Sequence, residues 1–257
     1  MTLGGSTMIY KGETFDYCYL ETIKCLSDLC DEVMVVCVLS DDGTVEKIQA
    51  EALWLPNVNV IYIDEELWLA VNGREKLSYF SNIAIANLST DYNFYLQCDE
   101  ILHEDSFKYV REAMRFGVNG FMVTRYNLWR DSKSLLVAEG RMPCSSFVMR
   151  LGKTACRCVG DAESLGIDNC VMDFVHNIEI FHMGFVRKFD KMKGKVINMV
   201  EHVFQMGHDV RLDNADWYRP MDYFKDEDLF TITRQLPVYI QKWAEERDEY
   251  NKRFTEK

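Results

Sequence analysis

The chain is poor in proline and in positive charge, and it has no long apolar run. Four Pro and 14 Gly among 257 residues exclude collagen-like and low-complexity organisation. Asp and Glu outnumber Lys and Arg by 41 to 29, a formal net charge of −12. Such a surface has no general affinity for polyanions, whose binding needs Lys and Arg to displace counterions. No apolar stretch approaches the ~18 residues needed to cross a bilayer. Residues 1–15 carry neither a basic nor an apolar leader pattern, so no secretory signal is expected. The nine cysteines are odd in number and include no C-x-x-C pair, which argues against a zinc ribbon or a thioredoxin-like site. They read as small buried thiols in a reducing compartment, and the protein is expected in the cytoplasm. What is present is globular: 48% hydrophobic, 13% aromatic and 27% charged residues. A chain of this length can bury the core of one large α/β domain.

Strand-like and helix-like segments alternate through the first half. Thr7–Tyr10 reads as a short strand. Tyr17–Cys30 has apolar residues at helical spacing. Glu32–Leu39 is an almost unbroken apolar run closed by Ser40-Asp41-Asp42-Gly43, the pattern of a strand buried on both faces. Thr44–Leu53 suits a helix, Val58–Ile63 a strand, Arg74–Leu88 a helix and Asn93–Gln97 a strand. Asp105–Phe116 suits a helix, and Gly120–Thr124 a strand. This order implies a doubly wound, mainly parallel sheet, with ligands expected beyond the carboxyl ends of the strands. Ser146–Arg150 and Ile178–His182 read as further strands, Val186–Met206 and Leu236–Lys252 as helices. No linker is visible. The expected division is a nucleotide-binding and catalytic region over 1–184, with a helical extension over 185–257 packed on it.

Four segments can carry chemistry. In Phe94-Tyr95-Leu96-Gln97-Cys98-Asp99-Glu100 a carboxylate follows a buried strand, which is costly unless it is solvated, paired or bound to a cation. The plain alternative is an acidic helix start. His182 ends a strand in Phe181-His182-Met183-Gly184, as a metal ligand or as a hydrogen-bonded core residue. Asp161 and Glu163, at i and i+2, cannot share a helical face. One of them can enter a cleft as a base, and a loop acid or helix cap is the plain alternative. Arg187–Lys195 packs basic residues into an acidic protein. It is either a solvated helix face or a flap that neutralises a diphosphate.

Taken together these segments resemble the family-2-like glycosyltransferases of the GT-A fold, in the short form found in bacteria and phage genomes. The residues that carry the likeness are Phe15-Asp16-Tyr17, Cys30-Asp31-Glu32, Asp41-Asp42-Gly43-Thr44, Gly73-Arg74 with Asn82-Ile83-Ala84, Leu96-Gln97-Cys98-Asp99-Glu100-Ile101-Leu102-His103-Glu104, Gly160-Asp161-Ala162, and Phe181-His182-Met183-Gly184-Phe185-Val186-Arg187. They span roughly residues 4 to 187. The resemblance implies a metal-dependent, inverting transfer of a sugar from a nucleotide-sugar, first of all a UDP-sugar, with Mn²⁺ or Mg²⁺ as cofactor. It implies that Asp41 and Asp42 meet the nucleoside, that Asp99 and His182 hold the metal, and that Thr7, Arg74, Asn82, Gln97 and Arg187 line the donor site. Asp161 is then the first candidate for the base and Glu163 the second. Gln97 departs from the pattern, because an Asp is usual there; it brings hydrogen bonds but no charge.

Two other readings compete. A nucleotidyltransferase would use a similar sheet, yet only Gly4-Gly5-Ser6-Thr7 and Lys11 stand where a basic phosphate loop belongs. A non-catalytic nucleotide- or sugar-binding module on a degenerate scaffold would account for Gln97. The acceptor is a hydroxyl of unspecified origin: a glycan precursor, a protein side chain or, for a phage-borne gene, a modified DNA base. The negative charge opposes DNA, while Arg125, Arg130, Arg141 and Arg150 soften the objection. Tyr126, Trp129, Trp217 and Tyr218 are candidates for stacking on a base or sugar.

Overall fold

The computed structural model describes residues 1–73, 75–136, 145–166, 172–198 and 229–255. Strands β1 (Leu3–Ile9), β2 (Glu32–Val38), β3 (Val58–Ile63) and β4 (Tyr92–Tyr95) run parallel in the order β3-β2-β1-β4. Every residue of β2 from Val33 to Val38 is buried, as its unbroken apolar run requires. Helices α1 (Tyr19–Leu29), α2 (Thr44–Ala52), α3 (Glu65–Ala70) and α4 (Glu75–Ala86) form the crossovers. Adjacent glycines show that helices cover both faces: a Cβ on Gly5 would meet Leu26 and Cys30 at the end of α1, and one on Gly4 would meet Leu88 and Thr90 beyond α4. This is the doubly wound arrangement expected from the sequence.

Beyond β4 the sheet continues in mixed sense. Strand β5 (Glu100–Leu102) is followed by helix α5 (Phe107–Ala113), strand β6 (Gly120–Trp129), β7 (Ser134–Leu136) and β8 (Ser145–Lys153). β8 lies antiparallel between β4 and β6. β9 (Arg157–Val159) and β10 (Ser164–Gly166) form a small separate hairpin. β11 (Met172–Phe185) runs parallel to β6, then pairs antiparallel with β5, and its register with β6 shifts between His182 and Phe185. That irregularity falls where the sequence reading placed a candidate ligand. The predicted helix over Val186–Met206 starts later, as α6 (Phe189–Asn198), because Val186–Lys188 are not helical; residues 199–206 lie outside the described residues. β12 (Leu229–Thr231) and helix α7 (Gln241–Thr255) complete the fold.

α7 is tied to the first half of the chain. Its Ile240 approach, Trp243 and Ala244 join the main core, beside residues of α1 and β1. Arg247 donates to Asp16 Oδ1 and Oδ2 at 2.6 and 3.3 Å, and Lys188 N donates to Oδ2 at 3.0 Å. Asp16 itself has a left-handed backbone, φ 52°. Asn251 brackets the start of α6, donating to Arg187 O at 2.8 Å and accepting from Phe189 N at 3.2 Å. Burial alone would raise the Asp16 carboxyl; the Arg247 guanidinium and the Lys188 amide outweigh it and hold the group below the usual carboxylate range. A carboxyl lowered in the folded state contributes stability above its unfolded pKa of about 3.9, and that contribution is lost as pH falls through the folded value. Asp16→Asn is therefore expected to destabilise the protein by about 1.5–3 kcal/mol at pH 7, the range for hydrogen bonds to charged groups. Urea unfolding at stepped pH should show the gap from the parent closing below about pH 4. A gap that persists unchanged into strong acid would mean that the ion pair is not its source.

Among the described residues no helix is long and apolar enough to cross a membrane. Six of the seven described cysteines are buried; Cys144 and Cys170 lie outside the described residues.

Candidate active site

Asp99 sits on a tight corner after β4. Glu100 N donates to Gln97 O, and Gln97 N donates to Glu100 Oε2, both at 3.0 Å. Thr22 of α1 donates its hydroxyl to Cys98 O and Glu100 O. Met183 N of β11 donates to Asp99 O at 2.7 Å. The corner is thus pinned by α1 and β11, and its carboxylate lies at the carboxyl edge of β1 and β4, where open α/β sheets bind ligands.

Three basic side chains surround that carboxylate. Lys195 Nζ lies 3.3 Å and Arg187 NH2 3.5 Å from Oδ2, and His182 Nε2 lies 3.7 Å from Oδ1. Burial opposes the ionisation of Asp99, but Lys195, His182 and Arg187 outweigh it and hold the carboxyl well below the usual range. His182 Nδ1 is 2.9 Å from Asn127 Oδ1 of β6. With that amide oxygen as acceptor, Nδ1 carries the proton and Nε2 keeps its lone pair on the side of Asp99. Burial pushes the imidazole down to about 4, against the pull of Asp99, so it is neutral at pH 7. The spacing His182-Met183-Gly184 has a steric cause: a Cβ on Gly184 would overlap the His182 ring, which folds back over that glycine.

Arg187 donates to Phe15 O and, at 2.7 Å, to Gly184 O, and its guanidinium lies 4.8 Å from the centroid of the Tyr17 ring. Lys195 donates to Gly184 O at 2.7 Å, with its ammonium over the Tyr17 and Phe185 rings. Burial pushes Lys195 down to about 8, and the neighbouring Arg187 adds to the shift while Asp99 opposes it. The basic run is therefore no solvated face at either end, since Arg187 is buried and Lys195 turns inward from α6.

The two candidate bases differ sharply in surroundings. Glu163 is ion-paired to Arg125. Asp161 is half-buried, in a turn between Gly160 (φ 58°) and Ala162 (φ 61°), and makes no hydrogen bond or ion pair with the described residues. The same turn is held from the donor side. Gln97 Nε2 donates to Ala162 O at 3.2 Å, and Arg150 NH1 donates to Glu163 O at 2.9 Å. Arg150 in turn pairs with Glu100 at 2.6 Å, both fully buried, and Arg125 reaches Glu100 at 3.2 Å. The Glu100–Arg150 pair thus links the Asp99 corner to the Asp161 turn.

Other expected donor residues are placed otherwise. Asn82 uses its amide to clamp β9, donating to Cys158 O at 3.0 Å and accepting from Cys158 N at 2.7 Å. Asp42 accepts from Thr14 N, Ser40 Oγ and Thr44 N, so it shapes the lip after β2. Burial would raise its carboxyl, and these donors hold it lowered. Asp41 is exposed on that lip. Thr7 is buried in β1, and its hydroxyl has no partner among the described residues. Arg74, Arg141, Trp217 and Tyr218 lie outside the described residues.

Those cations and rings considered for a DNA acceptor that lie among the described residues are otherwise engaged. Arg125 and Arg150 are buried in ion pairs, and Arg130 pairs with Asp131. Trp129 is buried against Phe185, and Tyr126 packs on Phe181 and donates to Glu179. Sequence reasoning passed over Asn127 and the Glu100–Arg150 pair. The only signal for the pair was a Glu directly after Asp99 and an Arg inside a strand.

No family model matches the chain, and no curated protein matches it. Solved structures similar to it include S. aureus TarS 1–349 in complex with UDP, 12% identical, covering 85% of this chain and 70% of that one, with a TM-score of 0.47. A putative glucose-1-phosphate thymidylyltransferase from Bacillus anthracis is 10% identical, with 71% and 90% covered and a TM-score of 0.40. Glucosyl-3-phosphoglycerate synthase from Mycobacterium tuberculosis, in complex with Mn²⁺, UDP and phosphoglyceric acid, is 16% identical, with 51% and 44% covered and a TM-score of 0.33.

Proposed function

We propose that the chain is a glycosyltransferase that moves a sugar from a nucleotide-sugar, a UDP-sugar first among the candidates, to an acceptor hydroxyl. The observation that carries this reading is one convergence. A buried carboxylate, a neutral imidazole and two inward-turned cations meet at the carboxyl edge of the parallel strands. A turn tethered to that corner carries a carboxylate without a partner among the described residues. The resemblance of the segments around Asp41, Asp99, Asp161 and His182 to family-2-like glycosyltransferases points the same way.

Each residue then has a physical task. Asp41, on the lip after β2, meets the nucleoside. Arg187 and Lys195 stabilise the charge that grows on the departing diphosphate. Asp161 takes the proton of the acceptor hydroxyl as its oxygen attacks the anomeric carbon. A single displacement of this kind inverts that carbon. Glu163, paired with Arg125, holds the turn rather than the proton. Asp99 and His182 fit a divalent cation such as Mn²⁺ or Mg²⁺ on one side, through Oδ1 and Nε2, with Nδ1 anchored on Asn127 as imidazole ligands commonly are. Such an ion, when bound, supplies Lewis-acid stabilisation of the diphosphate oxygens.

Thermal unfolding with UDP, GDP, CDP, ADP and dTDP tests the donor site. A nucleoside diphosphate at about 100 times its Kd is expected to add about 2.7 kcal/mol of stability, several degrees in Tm, while the parent nucleoside adds far less. If none of the five shifts Tm, with Mn²⁺ or without it, the donor-site reading is wrong.

A further inference from the structure

The cations around Asp99 exceed what that carboxylate needs. At the Asp99 corner two cations, Arg187 and Lys195, face one carboxylate, while Asp16 is paired with Arg247, which leaves one positive charge in excess beside Asp99. Buried charge without a counter-ion is costly, so this excess is suited to an anion. The position of Lys195 says which anion. Its ammonium donates to Gly184 O and faces Asp99 Oδ2, which uses two of its three N–H donors and leaves the third for a ligand. Lys195 thus stands on the very carboxylate, at the end of β4, that would otherwise receive a metal ion. Resting on the donor-site reading above, we propose that Lys195, with Arg187, is the built-in cation of the donor site. It lets the site bind a nucleoside diphosphate without a divalent ion.

Two features support this over a lysine that merely fills space until a metal arrives. Lys195 is held from three sides, by the Gly184 carbonyl and by the ring faces of Tyr17 and Phe185. Arg187 is locked beside it by the Phe15 and Gly184 carbonyls and by Tyr17. A side chain that must leave on metal binding would have to break all of these contacts. Gln97, two positions before Asp99, contributes no negative charge to offset the pair, and its amide is already tied to Ala162 O. Among the described residues no group of three or more His, Cys, Asp or Glu surrounds the site.

Titration calorimetry of UDP, with GDP, CDP, ADP and dTDP alongside, tests the proposal in EDTA and in Mn²⁺. The parent protein is expected to bind its preferred diphosphate with Kd values that agree within about threefold in the two buffers. Lys195→Met should weaken binding in EDTA by roughly 10- to 100-fold, the loss of one charge-assisted contact. Mn²⁺ should restore part of that loss, and Lys195→Arg should retain the binding in EDTA. Electron paramagnetic resonance of free Mn²⁺ gives a second readout that needs no nucleotide. The parent should take up Mn²⁺ weakly, and Lys195→Met about tenfold more tightly, because Asp99 then loses a competing cation. Binding by the parent only when Mn²⁺ is present overturns this inference and leaves the donor site intact. So does unchanged affinity of Lys195→Met in EDTA. Absence of binding for all five diphosphates in both buffers overturns the donor site as well.

Discussion

Asp161→Asn should lower sugar transfer by roughly 10²- to 10⁴-fold, the usual contribution of a positioned general base. Transfer is read as release of nucleoside diphosphate from the nucleotide-sugar, to water or to an added acceptor. The affinity for the free diphosphate should stay within about twofold, since no charge near Asp99 changes. The expectation rests on the contrast between neighbours. Asp161 has no partner among the described residues, while Glu163 two positions on is held by Arg125. Glu163→Gln should therefore cost far less activity than Asp161→Asn. If the two variants lose activity in the reverse order, Glu163 is the base and the Arg125 pair opens during catalysis. If the parent binds a diphosphate but releases none from any nucleotide-sugar, the chain is a binding module.

The largest effect on stability is expected at Glu100 and Arg150. Both side chains are fully buried, and their ion pair is 2.6 Å long. Removing one partner of a buried pair leaves an uncompensated charge and costs about 3–5 kcal/mol. Arg150→Met leaves Glu100 only the longer 3.2 Å contact with Arg125 and should lower Tm by on the order of 10 °C, given about 2–4 °C per kcal/mol for a chain of this size. The same variant frees the turn that carries Asp161, because Arg150 no longer donates to Glu163 O. Transfer should fall along with stability, while diphosphate binding falls less. Glu100→Gln should destabilise by a similar amount, as Arg150 and Arg125 both lose their carboxylate. In the double variant the losses should not add, since each single change already breaks the shared pair. Additive losses would show that the two residues act independently and that the pair is not the link between the corner and the turn.

Much of the parallel half is legible from residue order, because it depends on local pattern. An unbroken apolar run must be buried on both faces, so β2 announces itself between Glu32 and Val38. Helical spacing places α1, α2 and α4 to within a few residues. The first strand is the exception. The sequence reading starts that strand at Thr7, yet β1 begins at Leu3, and glycine is suited to its first residues because Leu26 and Cys30 on one face and Leu88 on the other approach too closely for a Cβ. That requirement comes from packing, which a strand propensity does not contain. The long β11 is legible in the sequence only over Ile178–His182, because its earlier residues, from Met172 to Asn177, alternate in polarity less clearly.

The candidate site divides in the same way. Asp99, Asp161 and His182 stand at strand ends and turns, where short motifs display them, and His182-Met183-Gly184 carries its own steric reason. Their partners are remote in sequence and could be found only in three dimensions. Asn127 orients His182 from β6, Lys195 reaches Asp99 from α6, and Arg150 joins Glu100 from β8. Asn82 shows the converse: a residue legible in a motif whose amide the fold spends on the β9 backbone. Residue order sets backbone pattern and the chemical kinds of side chain on offer, because those follow from sterics and polarity within a few residues. Which charge meets which is decided by the folded sheet, since electrostatic pairing acts through space and depends on burial that no short stretch of sequence contains.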